Sequence, residues 1–294
     1  MSLFVSTSNG IFSVNPDTES IRHVLKRKHT SGLFSRRAKG YFGICNYANN
    51  KVMAASKEVM GTTKSNKPTS DCKLHLIFPD TGGYEYLASV YDVHDVHQIE
   101  YYDGFVFLTD TGKNRIVVYD LEKQIVKGYL DIGKRRFDIN HVNAVKVFNG
   151  ILYIGLNYAE PNSKILLLHM ASLEVALDCS DIMDIVDVIT IPGCFHTHDL
   201  VECDDKLLVC SSADARLVDA YTGRQLWAYE SWLRGIAVTE NHVWVGQSVH
   251  AKRRKRHSKK LAGYLHKLDR NTFEFQGTVT ISKVGQINDM VYAG

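Results

Sequence analysis

The chain lacks the signals of several protein classes. No stretch approaches the run of about 18 apolar residues that a membrane helix requires. The six cysteines form no C-x-x-C pair, so we interpret them as small buried residues in a reducing compartment and not as a disulfide frame. Residues 1–7 do not resemble a secretion signal, because no charged segment precedes an apolar run. We therefore expect a soluble, cytoplasmic protein with no membrane contact.

Motifs of common enzyme classes are missing as well. The sequence contains no G-x-G-x-x-G, P-loop, G-x-S-x-G or H-E-x-x-H, which leaves nucleotide-binding and serine-hydrolase functions without support. Helical heptads are also absent. Hydrophobic residues make up 45% of the chain, which is ample for a core. The fold class must therefore be derived from repeats.

Two elements repeat along the chain. The first is a tight polar turn between β-branched or aromatic runs, found about 50 residues apart at 119–123, 169–174, 219–223 and 267–271, and less regularly at 15–19 and 78–82. The second is a pair of alternating apolar runs joined by a short turn such as Asp-Gly or Asn-Gly, as in 99–108 and 145–154. Such turns are a strong hairpin signal, and a fixed period of this length is typical of propellers and solenoids.

Together the two elements predict an all-β, six-bladed β-propeller in a single domain, 1–294, with about 49 residues per blade. Each blade would contain four antiparallel strands, lettered a to d from the axis outward. Residues 289–292 read as an innermost strand, and 3–7 and 11–14 read as second and third strands. The N-terminal strands would thus join the C-terminal strand and close the ring, which removes exposed sheet edges.

Two segments carry a family resemblance. Residues 109–120, T-D-T-G-K-N-R-I-V-V-Y-D, resemble the core of an NHL repeat, and residues 219–227, D-A-Y-T-G-R-Q-L-W, resemble the outer strands of a quinoprotein-type propeller repeat. This similarity to the superfamily of NHL-repeat and senescence-marker-type propellers implies the fold. It implies no particular activity, because such folds carry many functions.

The predicted ring has a mouth where the innermost strands begin, since the d-to-a and b-to-c loops open on that face. Aligning the blades places one residue of each at the rim: Phe42, His97, Asn143, His198, Arg234 and Asn288. Two positions earlier stand Gly40, Asp95, His141, His196, Trp232 and Gln286. A purely structural channel would not require this enrichment in histidine, asparagine and arginine.

The histidines suggest a metal site. Imidazole is the commonest protein ligand for transition metals, so His97, His198 and His141 could bind a divalent ion such as zinc, iron or manganese. Asp95 or Asp199 could orient a ligand or act as general base, and Arg234 could hold a carboxylate or phosphate over the metal. The set is similar to the three-histidine zinc site of six-bladed peptidyl-hydroxyglycine lyases. The alternative is that these histidines only form hydrogen bonds around a water-filled channel.

The positive charge of the chain is strongly localised. The run 252–260 carries seven positive charges, so the rest of the chain has a net charge of −4. By topology this run lies in the b-to-c loop of the fifth blade, beside the mouth, where it could bind a polyanion or an acidic protein. It could equally be a solvated loop or, less convincingly, a nuclear-localisation signal. The polar segment 59–71 is expected to be a loop, either a lid over the mouth or a surface insertion.

These observations lead to one leading hypothesis and two rivals. The leading one is a metal-dependent enzyme, a hydrolase, lyase or oxygenase, acting on a small anionic substrate at the mouth. The first rival is a non-catalytic module that binds a polyanion or acidic protein, and the second is a calcium-dependent lactonase of the senescence-marker type. Besides the metal ligands and Arg234, Asp95 and Asp199, the leading hypothesis assigns substrate binding to Asn143, Asn288, Trp232, His196 and Arg136. The first rival assigns polyanion binding to Lys252, Arg253, Arg254, Lys255 and Arg256.

Overall fold

The strands form six antiparallel sheets of four strands each, arranged as the blades of a propeller. The computed structural model describes residues 1–26, 40–62, 68–133, 138–157, 162–249, 251, 255–256 and 258–294, and of 58–62 and 68–70 it describes only the backbone. In the order from axis to edge, blade 1 contains β4 (Gly40–Tyr47), β5 (Lys51–Thr62), β6 (Pro68–Phe78) and β7 (Gly83–Val90); blade 2 contains β8 (Ile99–Tyr102), β9 (Phe105–Asp110), β10 (Arg115–Asp120) and β11 (Ile125–Asp131); blade 3 contains β12 (Val142–Phe148), β13 (Ile151–Leu156), β14 (Asn162–His169) and β15 (Asp187–Pro192).

The remaining blades follow the same plan. Blade 4 contains β16 (Thr197–Cys203), β17 (Lys206–Ser211), β18 (Arg216–Asp219) and β19 (Gln225–Ala228); blade 5 contains β20 (Trp232–Val238), β21 (His242–Ser248), β22 (Gly263–Asp269) and β23 (Phe275–Ile281); blade 6 contains β24 (Ile287–Ala293), β1 (Ser2–Thr7), β2 (Gly10–Val14) and β3 (Ile21–Lys26).

Helix is almost absent from the described residues. The c-to-d connection of blade 3 contains the α-helix α1 (Leu173–Asp178), preceded by a 3-10 turn, where the sequence predicts only a tight turn. Further 3-10 turns lie at Thr111–Lys113 and Ile182–Asp184. Within the described part of the chain, no helix has the length and apolar character needed to cross a membrane.

The ring is closed as the sequence predicts. Strand β24 at the C-terminus pairs with β1 at the N-terminus, with Leu3 opposite Tyr292 and Val5 opposite Met290. The two ends of the chain therefore share one sheet, and neither leaves an unpaired inner strand. The prediction of a six-bladed all-β propeller with four antiparallel strands per blade is confirmed.

The core is divided among the interfaces between blades. Each of the six clusters of buried apolar residues draws its members from two neighbouring blades, because both faces of each sheet are covered. Between blades 2 and 3, for example, Phe107 and Ile116 pack with Leu152 and Ile154, all fully buried. Each such side chain contributes about 1.5–3 kcal/mol through burial, so the apolar core stabilises the ring as a whole.

One sequence prediction about the fold is wrong. The segment 59–71 is not a long loop, since β5 continues to Thr62 and β6 begins at Pro68. Val59 pairs with Ser70 and Met60 with Thr69 in an antiparallel ladder. This hairpin extends past β4 and β7, because their last partners in it are Lys57 and Cys72. The residues at its tip, 63–67, lie outside the described residues.

Below the mouth, side chains from alternate blades link the innermost strands. The position after each rim residue is polar in blades 2, 4 and 6 and small in blades 1, 3 and 5: Gln98, Asp199 and Asp289 alternate with Gly43, Ala144 and Gly235. Each polar side chain accepts a hydrogen bond from a backbone N–H in the next blade. The three bonds run from Val145 to Gln98 Oε1 at 3.1 Å, from Ile236 to Asp199 Oδ2 at 2.5 Å and from Ile44 to Asp289 Oδ2 at 3.0 Å.

The three polar side chains of this central latch also bind one another. The amide of Gln98 donates to Asp199 Oδ1 at 2.6 Å and to Asp289 Oδ1 at 3.1 Å. The glycine of blade 1 lets neighbouring innermost strands approach closely, because a Cβ on Gly43 would lie 2.6 Å from the backbone nitrogen of Ile99. The latch thus fixes the inner strands of all six blades relative to one another, and it forms a rigid floor under the mouth.

Candidate functional site

The rim residues of blades 1, 3, 5 and 6 lie at irregularities of the innermost strands, and in blade 4 the irregularity falls one residue later, in the latch. In blades 3, 4, 5 and 6 the ladder between strands a and b shifts register at Asn143, Asp199, Arg234 and Asn288. Blade 1 shifts at Phe42 in the same way, and in blade 2 the strand begins only after His97. A bulge leaves one residue unpaired and re-aims its side chain. This explains how a rim residue and its successor in the latch can both contribute to the channel.

The position two residues before the rim has an unusual backbone. Asp95, His141 and His196, which are equivalent in blades 2, 3 and 4, have φ angles of 68°, 45° and 52°. Left-handed conformations of non-glycine residues each cost on the order of 1 kcal/mol and cluster at ligand sites. Three equivalent residues in this conformation indicate that the entry to the innermost strand is a built feature of the mouth.

The three histidines assigned to the metal lie together. The ring centroids of His97 and His141 are 5.3 Å apart, and those of His97 and His198 are 6.4 Å apart. Phe42 and Trp232 flank the group, at 6.2 Å from His97 and 6.0 Å from His198. The blade alignment therefore identifies residues that meet in space although they come from different repeats.

The hydrogen bonds of His198 determine its tautomer. Nδ1 lies 2.8 Å from the carbonyl oxygen of His196, which can only accept, so Nδ1 carries the proton. Ser212 Oγ also contacts Nδ1, at 2.9 Å, and donates its own proton to the carbonyl oxygen of Leu233 at 2.5 Å. Nε2 therefore bears the lone pair. It is buried and has no hydrogen-bond partner among the described residues.

Three histidines of the mouth, His97, His196 and His198, are held in the neutral form. Burial lowers the pKa of His198 well below its ordinary value of 6.5, and the charge of Arg234 lowers it further. Burial also lowers the pKa of His97 to about 3, although the Asp95 carboxylate opposes this change. The pKa of His196 is lowered by burial and by His141. At neutral pH these rings therefore add no positive charge to the mouth.

Arg234 is a buried cation that forms no salt bridge with any described carboxylate, and its main electrostatic support comes from the charge of Asp95. The residue is only 5% exposed, and its Nε atom has no hydrogen-bond partner among the described residues. Its guanidinium carbon lies 5.7 Å from the ring centroid of Trp232, a cation–π contact. Burial, and then the charge of Arg256, lower the pKa of Arg234 to about 9, which leaves the group charged at pH 7. A buried charge normally has a counter-ion, so this one points to an anion supplied from outside the chain.

The two rim asparagines have fixed orientations. The Asn143 amide donates to the carbonyl oxygen of Thr197 at 3.3 Å, and the Asn288 amide donates to that of Tyr41 at 2.7 Å. Carbonyl oxygens cannot donate, so the amide nitrogens are assigned without ambiguity. Both Oδ1 atoms are buried and have no hydrogen-bond partner among the described residues. Each asparagine thus presents an acceptor in the mouth.

The two aspartates assigned to catalysis have other contacts. Asp95 forms a salt bridge with Lys57 at the edge of the mouth. Asp199 belongs to the latch, and besides Gln98 and Ile236 it binds the backbone N–H of Leu200 at 2.8 Å. Burial raises its pKa, and these donors oppose the rise. The orientation of His198 that the sequence assigned to an aspartate is supplied here by Ser212 and a backbone carbonyl.

Sequence reasoning missed three side chains that support the site. Asp138 lies 2.9 Å from Nδ1 of His141. Ser212 accepts a hydrogen bond from Nδ1 of His198. Lys57 neutralises Asp95, and its Nζ atom lies 5.9 Å from the Phe42 ring centroid. Lys57 and Ser212 occupy equivalent positions at the end of strand b, opposite the position two residues before the rim, whereas Asp138 lies in a connection between blades. An alignment of strand b could therefore have pointed to Lys57 and Ser212, but not to Asp138.

Within the described part of the basic run, Arg256 is the residue whose charge acts on the mouth. Arg256 donates from Nε to the carbonyl oxygen of Ala251 at 3.3 Å, and its charge acts on Arg234. Lys255 is exposed. The other residues assigned to polyanion binding, Lys252, Arg253 and Arg254, lie outside the described residues, as does Arg136. The placement of the run as a whole beside the mouth remains a prediction.

The described residues do not form a ready-made metal centre. Among them, no three histidine, cysteine, aspartate or glutamate side chains are arranged to hold an ion. The buried charge of Arg234 is also unfavourable for a nearby divalent cation. The donor set therefore does not fit a metal in this conformation. The metal remains a prediction that depends on movement of the rings.

Comparison with known proteins supports the fold alone. The whole chain aligns with 98% of a chain in the crystal structure of the nidogen/laminin complex, with a TM-score of 0.65 and 13% identity. A protein of unknown function from Bacteroides caccae aligns over 99% of this chain and 97% of its own, with a TM-score of 0.58 and 13% identity. TolB from Acinetobacter baumannii aligns over 99% of this chain and 66% of its own, with a TM-score of 0.60 and 11% identity. No protein-family profile matches the chain. No curated protein is significantly similar to it.

Proposed function

We propose that this propeller binds a small molecule carrying a carboxylate or phosphate group at its mouth, with Arg234 as the anion-binding residue. The observation that carries the proposal is the buried guanidinium of Arg234, whose Nε atom has no hydrogen-bond partner among the described residues and whose charge is opposed only at a distance by the Asp95 carboxylate. The planar fork of a guanidinium matches the oxygen atoms of a carboxylate or phosphate.

The surroundings of Arg234 favour the same class of ligand. Arg256 adds a second positive charge close by. His97 and His198 are neutral and therefore can donate or accept hydrogen bonds without adding charge. Asp95 is already paired with Lys57, which weakens its repulsion of an anion. The mouth thus combines one unpaired cation, one supporting cation and neutral polar rings.

The test is a titration with simple anions. Wild-type protein, Arg234→Gln and Arg270→Gln are each titrated calorimetrically with inorganic phosphate and with cyclohexanecarboxylate. Arg270 is a matched control, because it is already paired with Asp204 at 2.7 Å and belongs to a different part of blade 5. We expect saturable binding to wild type and Arg270→Gln, weakened at least tenfold in Arg234→Gln. Equal affinity in all three proteins would refute the proposal.

A second candidate is the metal-dependent enzyme favoured by the sequence. The observation in its support is that the rings of His97, His141 and His198 lie together. Nε2 of His198 has no hydrogen-bond partner among the described residues. Whether the reaction is a hydrolysis, an elimination or an oxygenation depends on the metal and the substrate. Elemental analysis of untagged protein tests this candidate, because bound zinc, iron or manganese must disappear in His97→Ala/His198→Ala.

Polyanion binding by the basic run remains a prediction, as does membership of the superfamily of NHL-repeat and senescence-marker-type propellers. If the run binds a polyanion, the affinity for heparin should fall steeply with salt and be lost when 252–256 are neutralised. Arg234→Gln should leave that affinity unchanged, so the two kinds of anion binding are separable.

A further inference from the structure

Three hydrogen-bond acceptors at the mouth have no partner among the described residues. They are Oδ1 of Asn143, Oδ1 of Asn288 and Nε2 of His198. The residues are 1%, 7% and 5% exposed. In each case the other polar atom of the group donates to a backbone carbonyl, so the acceptor cannot be exchanged for a donor by a flip. Buried acceptors without donors are costly and rare, which indicates a ligand that supplies the donors.

The three acceptors come from three different blades around the axis. Asn143 belongs to blade 3, His198 to blade 4 and Asn288 to blade 6, while Arg234 belongs to blade 5. Blades 3 and 6 are opposite each other in a ring of six. A ligand that satisfies all three acceptors must therefore have several donors on one framework.

The charge of the mouth selects the kind of donor. Hydroxyl and ammonium groups both donate hydrogen bonds, but an ammonium group would meet the positive charges of Arg234 and Arg256. The same positive charge from Arg234 already lowers the pKa of His198. Neutral hydroxyl groups avoid this repulsion.

We infer that the ligand is a polyhydroxylated acid, in which a carboxylate or phosphate binds Arg234 and hydroxyl groups donate to Asn143, His198 and Asn288. This inference rests on the proposed function and adds the ligand class to it. Sites built to bind a hydroxyl group discriminate strongly against analogues that lack it, because the buried acceptor is then left unsatisfied.

The experiment compares acids that differ only in their hydroxyl groups. Two matched pairs are titrated calorimetrically into the full chain: quinate against cyclohexanecarboxylate, and sorbitol 6-phosphate against hexyl phosphate. We expect the hydroxylated member of at least one pair to bind at least about tenfold more tightly than its partner. The pair that shows the preference identifies the anionic group as carboxylate or phosphate.

Variants assign the preference to the acceptors. Asn288→Ala should weaken the hydroxylated acid about fivefold or more and leave its unhydroxylated partner unchanged. The exposed Asn271→Ala serves as the control and should change neither. The comparison of acids in wild-type protein stands even if Asn288→Ala does not fold.

Each outcome decides between the two proposals. If both members of each pair bind equally well, the inference is overturned and anion binding by Arg234 survives. If neither the four acids nor inorganic phosphate binds, the proposed function itself fails. If EDTA abolishes the preference and calcium or zinc restores it, the acceptors hold a cation and the inference is wrong.

Discussion

Replacing Arg234 by methionine should make the unliganded protein more stable. Burial, and then the charge of Arg256, lower the pKa of Arg234 to about 9. Because each pH unit corresponds to about 1.36 kcal/mol, the buried charge costs on the order of a few kcal/mol. Methionine has a similar length and no charge. The lost contact with the Trp232 ring offsets about 0.5–1 kcal/mol of the gain.

The net effect expected for Arg234→Met is a stabilisation of about 1–3 kcal/mol, within the range found when buried charges are replaced by apolar residues. For a chain of 294 residues this corresponds to a rise in melting temperature of about 2–5 °C. Urea denaturation and calorimetry in low-salt Tris buffer at neutral pH measure both quantities. Added phosphate should stabilise the wild-type protein and not the variant.

The control variant is Arg270→Met, whose side chain is paired with Asp204 and also donates to the backbone of Thr239. It should lose stability, by about 0.5–1.5 kcal/mol. A loss of about 1 kcal/mol or more in Arg234→Met as well would mean that the guanidinium has internal partners, and the reasoning would be refuted. The contrast in sign between the two variants is therefore the diagnostic result.

Three further predictions concern the latch, the histidines and the metal. Gly43→Ala should lower the free energy of unfolding, measured by urea denaturation, by about 2–4 kcal/mol, because the new Cβ would lie 2.6 Å from a backbone nitrogen. Gly277→Ala is the control and should change it little, because a Cβ there would have no atom within 4 Å. Similar losses in the two variants would contradict the latch geometry. Burial lowers the pKa of His198 below 6.5, so as the pH falls the unfolded chain takes up the proton first, and the stability that depends on the neutral ring is lost as the pH falls through 6.5. The free energy of unfolding of His198→Gln should therefore decrease less than that of wild type between about pH 7.5 and about pH 5. Parallel plots of unfolding free energy against pH for the two proteins would disprove this. If the protein is a metal-dependent enzyme, elemental analysis should find near-stoichiometric metal in wild type and none in His97→Ala/His198→Ala. Wild-type protein that still holds no metal after attempted reconstitution would exclude this candidate.

The sequence predicts the fold well because the repeat is local. Each polar turn and hairpin signal lies within a single blade, so the period and closure can be read without long-range contacts. The segment 59–71 was predicted wrongly because its composition, Lys64 to Pro68 above all, is that of a loop. Backbone pairing alone extends this hairpin past its neighbouring strands, and such pairing leaves no apolar pattern in the sequence.

The site is predictable only where it repeats. His97, His198 and Arg234 occupy equivalent positions, so aligning the blades identifies them, and each lies at or next to the point where the regular ladder of the innermost strand begins or shifts register. The latch could also have been found, since the positions after the rim alternate between polar and small residues. Asp138 could not, because its contact with His141 depends on how the connection between blades 2 and 3 is folded.

The central claim is that Arg234 binds an anion at the mouth, and the NMR signal of its own Nε–H group tests this most directly. Protein labelled with [15N]arginine is titrated with inorganic phosphate and with quinate, and the Arg234 resonance is identified by its absence from Arg234→Lys. We predict that this resonance shifts with added anion and saturates, while the resonance of the paired Arg270 does not move. An Arg234 signal that stays unchanged throughout both titrations would contradict the proposed function.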